Sequence, residues 1–495
     1  REVSLGQSIR SGVKWLAFGK VGNRLFEFAF GVALARLLVP ADFGMIATIQ
    51  IFTGFVGMFV AGGMGQSLIR AKQADTNDFT AVFTLQLAVG VLVYLAFFFS
   101  APLVARFFEN PLYTDLMRIS ALSFLLRPLV SMRNAWLNRE MQFKSRTIVD
   151  VMTAFVGGFL SVGMALLGMG VWSLTVAGLL GALFNNLWLA RLTPLKPRLN
   201  LDVATMRKHA GYGAKIVGVD FVNYLRAQSR TLILSKMAGP AFLGLFNKAE
   251  SLSRLPNQLL MSPTMEPLFR AMSKSQDNLD QTKYLFYRSI TLLMAYTTPA
   301  YVLLWWIAEP FIGVVYGPNW VAAGAAMSIL TWVGVFLNVA FPCSAVLAAQ
   351  NRLGKEILAT AINLPIMAGA CFIGLRWGLE GVAWAGVLSQ SLFAVQLYWL
   401  TLQALPTRLA DLMQAIWPGL LLGSLLFGFL ALVDFAVGER LGDSPAVYVV
   451  VMATLALTFH ACAFLLLPLR ALQSETERLR KLMAGALAFF RRRRP

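Results

Sequence analysis

Residues 34–46 read LARLLVPADFGMI, and residues 234–246 read LSKMAGPAFLGLF. Leu34 and Leu234, Pro40 and Pro240, Ala41 and Ala241, and Gly44 and Gly244 recur at an offset of 200 residues. One such pair is compatible with chance, but two more follow in the same order. APLVARFFENP from 101 pairs with EPFIGVVYGPN from 309, sharing proline, aliphatics and an aromatic before a turn. GMGVWSL from 168 pairs with GLEGVAW from 378, with Gly-Val ahead of Trp. Three ordered matches at a nearly constant offset identify two homologous halves.

The halves are built for a membrane. Of 495 residues 57% are hydrophobic and 14% charged, with a mean hydropathy of +0.65. A soluble domain is about 45–50% apolar and about a quarter charged. Apolar runs of about twenty residues recur from end to end, long enough to cross roughly 30 Å of hydrocarbon. The fold class is therefore all-α and polytopic. The net charge of +19 would suggest nucleic acid in a soluble protein. In a membrane protein it reflects cytoplasmic loops, and no nucleic-acid partner is expected. Cys343, Cys371 and Cys462 lie in apolar runs, and His209 and His460 are far apart. Neither set offers ligand spacing, so no metal and no cofactor are expected. The first apolar segment lacks a small-residue cleavage site, and no signal peptide is expected.

About fourteen transmembrane helices are expected: 13–37, 43–69, 79–105, 115–133, 147–168, 171–191, 207–235, 240–265, 284–308, 321–347, 356–376, 379–402, 414–434 and 446–468. With the N-terminus cytoplasmic, the inner side receives clusters such as Arg133, Arg139, Lys144 and Arg146, and Arg191, Lys196, Arg198, Arg207 and Lys208. The outer side receives little beyond Arg36, Arg106, Lys236, Arg376 and Arg440. That asymmetry places both termini inside. Each half holds six helices, so the halves share one orientation about an axis along the membrane normal, with a substrate site expected at their interface. The expected organisation is an N-lobe over 1–200, a C-lobe over 201–405, and two extra helices within 406–468. A cytoplasmic amphipathic basic tail follows over 469–495. Leu472, Leu479, Leu482, Met483, Ala486 and Phe490 of this tail repeat at helical spacing ahead of Arg491–Arg494. The pattern suits a helix on the inner leaflet or a solvated tail.

Helices one, seven and eight carry charges that loops cannot hold. Each costs about 2.5–3.5 kcal/mol at a helix centre. In helix one, Lys20, Arg24 and Glu27 form one face opposite Phe26, Phe28 and Phe30. In helix seven, Lys215, Arg226 and Arg230 share a face flanked by Asp220 and Asn223. In helix eight, Lys248 precedes Glu250 and Arg254, which pair at i, i+4. Such faces need water or each other. Seven cations against three anions exceed what salt bridging alone predicts, which favours a central cavity that attracts an anionic substrate. Interhelical salt bridges are the competing account. Glu27, Asp220 and Glu250 are candidate counter-ions or coupling sites. Arg118, Arg127 and Arg288 sit close enough to span ends to snorkel. Among the aromatics, Trp305, Trp306 and Tyr224 are candidates for stacking on sugar. Glycine spacings such as Gly57 to Ala61 suit close helix packing. The chain has no P-loop, no GxSxG and no paired carboxylate motif typical of metal-dependent glycosyl transfer, so no enzyme chemistry is expected.

SGVKWLAFGKVGNRL and LARLLVPADFGMIA, followed by GGMGQSLIRAKQADTNDFTAVFTLQLAVG, carry a family pattern. GMGVWSL, GPAFLGLFNKAESLSRLP, PLFRAMSKSQDNLDQ and VYGPNWVAAGAAMSIL continue it over roughly residues 4–400. The sequence resembles the Wzx-type polysaccharide flippases of the multidrug/oligosaccharidyl-lipid/polysaccharide (MOP) exporter superfamily, in the branch that includes the colanic-acid exporter. The resemblance implies two pseudo-symmetric six-helix lobes in a V shape around a central cavity, working by alternating access. It implies an undecaprenyl-pyrophosphate-linked oligosaccharide as substrate, moved across the bacterial inner membrane. The implied partners are membrane lipids and the polymerase and co-polymerase of the pathway.

Other classes fit less well. A drug/cation antiporter of the same superfamily would use buried carboxylates, against the cationic excess seen here. A membrane-embedded polysaccharide polymerase or ligase would be expected to carry a large, Arg-rich outer loop, which the chain lacks. A passive assembly scaffold leaves the charged helices without a purpose.

Overall fold

The computed structural model describes residues 5–61, 64–71, 74–275, 277–442 and 444–481. Helix follows helix throughout: α1 (Leu5–Leu37), α2 (Pro40–Ala61), α3 (Met64–Arg70), α4 (Thr76–Phe107), α5 (Leu112–Ala121), α6 (Ser123–Arg139), α7 (Phe143–Leu166) and α8 (Val171–Leu192). Then come α9 (Val203–Met237), α10 (Gly239–Ser253), α11 (Leu255–Lys274), α12 (Leu279–Tyr316) and α13 (Ala323–Ala349). The series ends with α14 (Leu353–Gly374), α15 (Gly378–Leu402), α16 (Leu409–Gly442) and α17 (Pro445–Leu466). Every stretch expected to be helical falls on one of these helices or on a consecutive pair.

Local chemistry sets the helix ends. Asp75 accepts from the Asp78 amide while Asp78 returns a bond to Asp75, a capping box that starts α4. Asp202 caps α9 by accepting from the Thr205 amide and hydroxyl, and Asn278 caps α12 through the Gln281 amide. Bonds from Thr205 and then Asn77 hold the Asp202 carboxyl below the ordinary carboxylate range. The GMG turn between α7 and α8 places Gly168 and Gly170 at positive φ, where a side chain would be strained.

Eight stretches among the described residues are long and apolar enough to cross a membrane: 76–107, 143–166, 171–192, 279–316, 323–349, 353–402, 409–438 and 445–466. The stretch 353–402 holds two helices, α14 and α15, joined by a 3-10 turn over Leu375–Trp377. The molecule is an all-helical, multi-pass membrane protein.

Packing divides the chain into Arg1–Gly244 and Leu245–Pro495. In the first unit, α9 packs along α2, α3 and α4, and α1 packs along α7. One core there gathers Phe97, Tyr113, Leu116 and Phe124, and another Leu68, Phe79, Val82 and Met132. In the second unit, α12 packs along α13 and α16, and α13 along α15. One core there holds Met272, Phe286, Ile290, Val346 and Leu397.

The described part of the tail is docked rather than free. Leu472 is buried beside Ala295, Leu422 and Phe464, with Leu479 against the same cluster. Arg288 of α12 holds this segment, donating to the Ala471 carbonyl and, at 2.6 Å, to Ser474 Oγ. Leu482, Met483, Ala486, Phe490 and Arg491–Arg494 lie outside the described residues.

Candidate functional site

The three charged helices expected to carry the site are α1, α9 and α10. On α1, Arg24 Nη1 donates to Glu27 Oε2 at 3.0 Å, and the two side chains are 64% and 58% exposed. The opposite face is aromatic: Phe26 and Phe30 pack on Phe155 of α7, with ring centroids 5.4 and 5.9 Å apart. Phe28, expected on the same face as Phe26 and Phe30, is instead 44% exposed, because it lies about 200° around the helix from each of them. The side chains of Lys20, Lys215, Asp220 and Arg226 lie outside the described residues.

On α9, Arg230 is half-buried. Tyr224 directs its hydroxyl to the carbonyls of Gln50 and Ile51 at 2.9 and 2.7 Å, so it ties α9 to α2 instead of presenting a free stacking face. On α10, Glu250 accepts from Arg254 at 2.7 Å. Lys248 directs its ammonium at the rings of Tyr316 and Trp320, 4.6 and 5.2 Å from their centroids. A cation over aromatic faces is stabilised by the ring quadrupoles. Two of the three expected anions, Glu27 and Glu250, therefore pair with a cation three or four residues away in sequence, Arg24 within α1 and Arg254 at the junction of α10 and α11.

The aromatic candidates of the second unit separate. Trp306 Nε1 donates to the Tyr448 hydroxyl at 3.1 Å, which donates to Asp434 at 2.9 Å. Trp305 instead lines a cavity of about 490 Å³ with Tyr301, Trp332 and Phe427.

Three arginines near span ends have specific places. Arg118 donates to the Phe98 carbonyl at 3.2 Å and lies over that ring. Arg288 anchors the tail segment, as described above. Arg127 projects into the first unit, beside Gly57 of α2 and 5.6 Å from the Phe124 ring centroid. It lines a cavity of about 700 Å³ walled by α6, α7 and α8. The signal for this cavity is present in the sequence: Ser123, Arg127 and Ser131, and likewise Thr153, Gly157 and Ser161, recur at i, i+4, i+8. Arg133, counted above as a loop charge, lies within α6, 5% exposed, and donates to the Asn186 carbonyl at 2.9 Å.

A buried polar cluster joins α3, α4 and α9. His209, 1% exposed, has Nδ1 2.7 Å from Ser67 Oγ and Nε2 3.1 Å from Asp78 Oδ1. The expected absence of histidine–metal chemistry had left this residue without a role; in the structure it joins three helices.

The fold is that of the MurJ/MATE-like membrane transporters. The lipid II flippase MurJ in an inward closed conformation superposes with a TM-score of 0.71 at 15% identity, covering 90% of this chain and 98% of that one. A multidrug resistance MATE family transporter of the MOP superfamily gives 0.59 at 14% identity, covering 77% and 94%. The chain belongs to the polysaccharide biosynthesis protein family, whose model matches residues 33–325. It is a transport protein of the Wzx/MOP type and not an enzyme. It is 24% identical over 352 residues to the succinoglycan biosynthesis transport protein ExoT of Rhizobium meliloti, covering 70% of each chain. It is 23% identical over 411 residues to the lipopolysaccharide biosynthesis protein WzxC of Escherichia coli, covering 81% of this chain and 82% of that one.

Proposed function

We propose that this protein flips undecaprenyl-pyrophosphate-linked oligosaccharides, the repeat units of an exopolysaccharide, capsule or lipopolysaccharide, from the inner to the outer leaflet of a bacterial inner membrane. Fourteen spans, arranged as two six-helix lobes and two further helices, carry this out by alternating access with both termini cytoplasmic. The polymerase and co-polymerase of the same pathway receive the product.

The supporting observation is a cationic excess on α1, α9 and α10 in a chain whose family model covers all of α9 and α10. Lys20, Arg24, Lys215, Arg226, Arg230, Lys248 and Arg254 attract the pyrophosphate, and the polyprenyl tail remains in lipid. Glu27, Asp220 and Glu250 act as counter-ions or as coupling sites. An inside-negative potential supplies about 2.3 kcal/mol per charge per 100 mV to an anion moving outward.

Reconstitution tests this directly. Proteoliposomes loaded with labelled polyprenyl-pyrophosphate oligosaccharide on one leaflet should expose label on the other at a rate that scales with protein. Label that stays on its original leaflet rules the function out.

A further inference from the structure

We infer that the segment joining α8 to α9, residues 193–202, is a binding surface for anionic phospholipid. Its leucines enter the acyl-chain edge of the leaflet at the N-terminal end of α4, and its cations hold the headgroups. The inference requires only that α4 spans the membrane, and is independent of substrate and of transport direction.

The segment reads TPLKPRLNLD, and Pro194 and Pro197 keep it out of helix. Its backbone is extended at Thr193 and at Asp202. One side of it is fastened to the protein. Leu195 is buried beside Phe79, Val82 and Met132. The Asn200 amide donates to Thr84 Oγ1 at 2.8 Å, and its Nδ2 donates to Thr80 Oγ1 at 3.3 Å. Asp202 accepts from Asn77 Nδ2 at 3.0 Å. In an extended chain alternate side chains face opposite ways. With Asn200 and Asp202 turned to α4, Leu199, Leu201 and Val203 face outward, 73%, 79% and 70% exposed. A contiguous exposed apolar row of this kind marks an interaction site.

The bonds to α4 set its depth. Between Asp78 and Arg106, α4 carries no charged residue. That stretch covers roughly 40 Å at about 1.5 Å per residue, the thickness of a bilayer with its headgroups. Asn77, Thr80 and Thr84 therefore lie in the headgroup layer and at the adjoining edge of the hydrocarbon. They hold the leucine row at the same level, where lipid is the partner at hand and water is a poor cover for apolar side chains.

Charge selects the lipid. Arg191, Lys196 and Arg198 are exposed, and among the described residues no carboxylate lies within ion-pair distance of them. The carboxylates bonded into this region are committed elsewhere: Asp75 and Asp78 cap α4, Asp78 also meets His209, and Asp202 caps α9. Cations beside an exposed apolar row are the composition of an interfacial segment that prefers anionic lipid. A zwitterionic headgroup offers these cations no net counter-charge.

A fluorophore at residue 201 reads the contact locally. In a Cys462→Ser background, which removes the exposed native thiol, Leu201→Cys is labelled with NBD. Glu140→Cys, in the exposed turn after α6, is the aqueous control. The full chain is placed in phosphatidylcholine nanodiscs containing acyl-chain spin-labelled phosphatidylcholine or phosphatidylglycerol. Spin-labelled lipid should quench the label at 201 and leave the label at 140 bright. Half-quenching at 201 should need at least about fivefold less spin-labelled phosphatidylglycerol than phosphatidylcholine, the effect of one cation at an anionic surface. Arg191→Gln, Lys196→Gln and Arg198→Gln together should bring the two lipids level while 201 stays quenched. Salt at about 0.5 M should weaken the preference in the wild type, and it carries the test if the triple variant does not fold. A label at 201 that neither lipid quenches overturns the inference, whether iodide reaches it from water or a second protein copy shields it. Equal sensitivity to the two lipids also overturns it, as does a preference that survives the triple substitution in a folded protein.

Discussion

Gly44 packs against the backbone carbonyl of Pro240, and Gly244 packs in the same way against the carbonyl of Pro40. The two copies of the repeated Pro-Ala-x-x-Gly motif therefore meet each other reciprocally. At either glycine a Cβ would strike backbone, which cannot rotate away as a side chain can. The repeat shows on the page as a sequence match, and in three dimensions as close helix approach through small residues.

Substitution at this contact is expected to be costly and symmetric. Gly44→Ala and Gly244→Ala should each destabilise by about 1–3 kcal/mol, the usual range for overpacking. Gly31→Ala serves as control, because a Cβ there meets nothing within 4 Å and alanine favours helix by about 0.5–1 kcal/mol. Thermal unfolding of the detergent-solubilised variants decides; Gly44→Ala melting with Gly31→Ala would contradict the reciprocal contact.

The cluster of Ser67, Asp78 and His209 predicts a second stability effect. His209→Ala leaves the Asp78 carboxylate and the Ser67 hydroxyl without their shared partner in a buried place. Leaving such groups unsatisfied costs about 1–3 kcal/mol. His209→Gln, which retains a polar group of similar reach, should recover part of the loss. Hydrogen exchange at the start of α9 should rise in the alanine variant and less in the glutamine variant.

At the other end of α9, Lys236 donates to the Glu109 carboxylate at 2.8 Å. That bond, and then the ammonium charge, hold the Glu109 carboxyl below its ordinary range. A depressed folded-state value means the contact is present at neutral pH and is lost as pH falls through that value. Exchange protection in the turn after α4 should therefore drop on acidification below the usual carboxylate range. Glu109→Gln should flatten that pH dependence, and an unchanged profile in this variant would refute the assignment.

The Arg24–Glu27 pair separates stability from transport. Both side chains are more than half exposed, so the pair contributes at most about 1 kcal/mol. Arg24→Gln should leave the melting temperature within a few degrees of wild type while reducing flipping of a lipid-linked probe by at least about tenfold, if the cation contacts pyrophosphate. Full transport by Arg24→Gln would remove Arg24 from the substrate path.

Much of this architecture follows from one-dimensional pattern. Apolar runs of membrane length, turn residues such as GMG and caps such as Asp75, Asp202 and Asn278 act over a few neighbours, so the helices fall where periodicity places them. The Phe26–Phe30 face and the Arg24–Glu27 pair follow the same local rule. The recurrence of Pro-Ala-x-x-Gly at an offset of 200 residues is equally legible, because it is a comparison of strings.

What lies around a charge is decided between helices distant in sequence. The residue pattern marks Arg127 as a cation near a span end, but its position depends on Gly57, seventy residues earlier, and on walls supplied by α7 and α8. Lys248 rests on Tyr316 and Trp320, and His209 meets Ser67 and Asp78, across separations that no helical period connects. Spacing along the chain determined which residues share a helix face in this protein. Only tertiary packing decided what each face meets, because the cost of a buried charge is set by the groups brought around it in space.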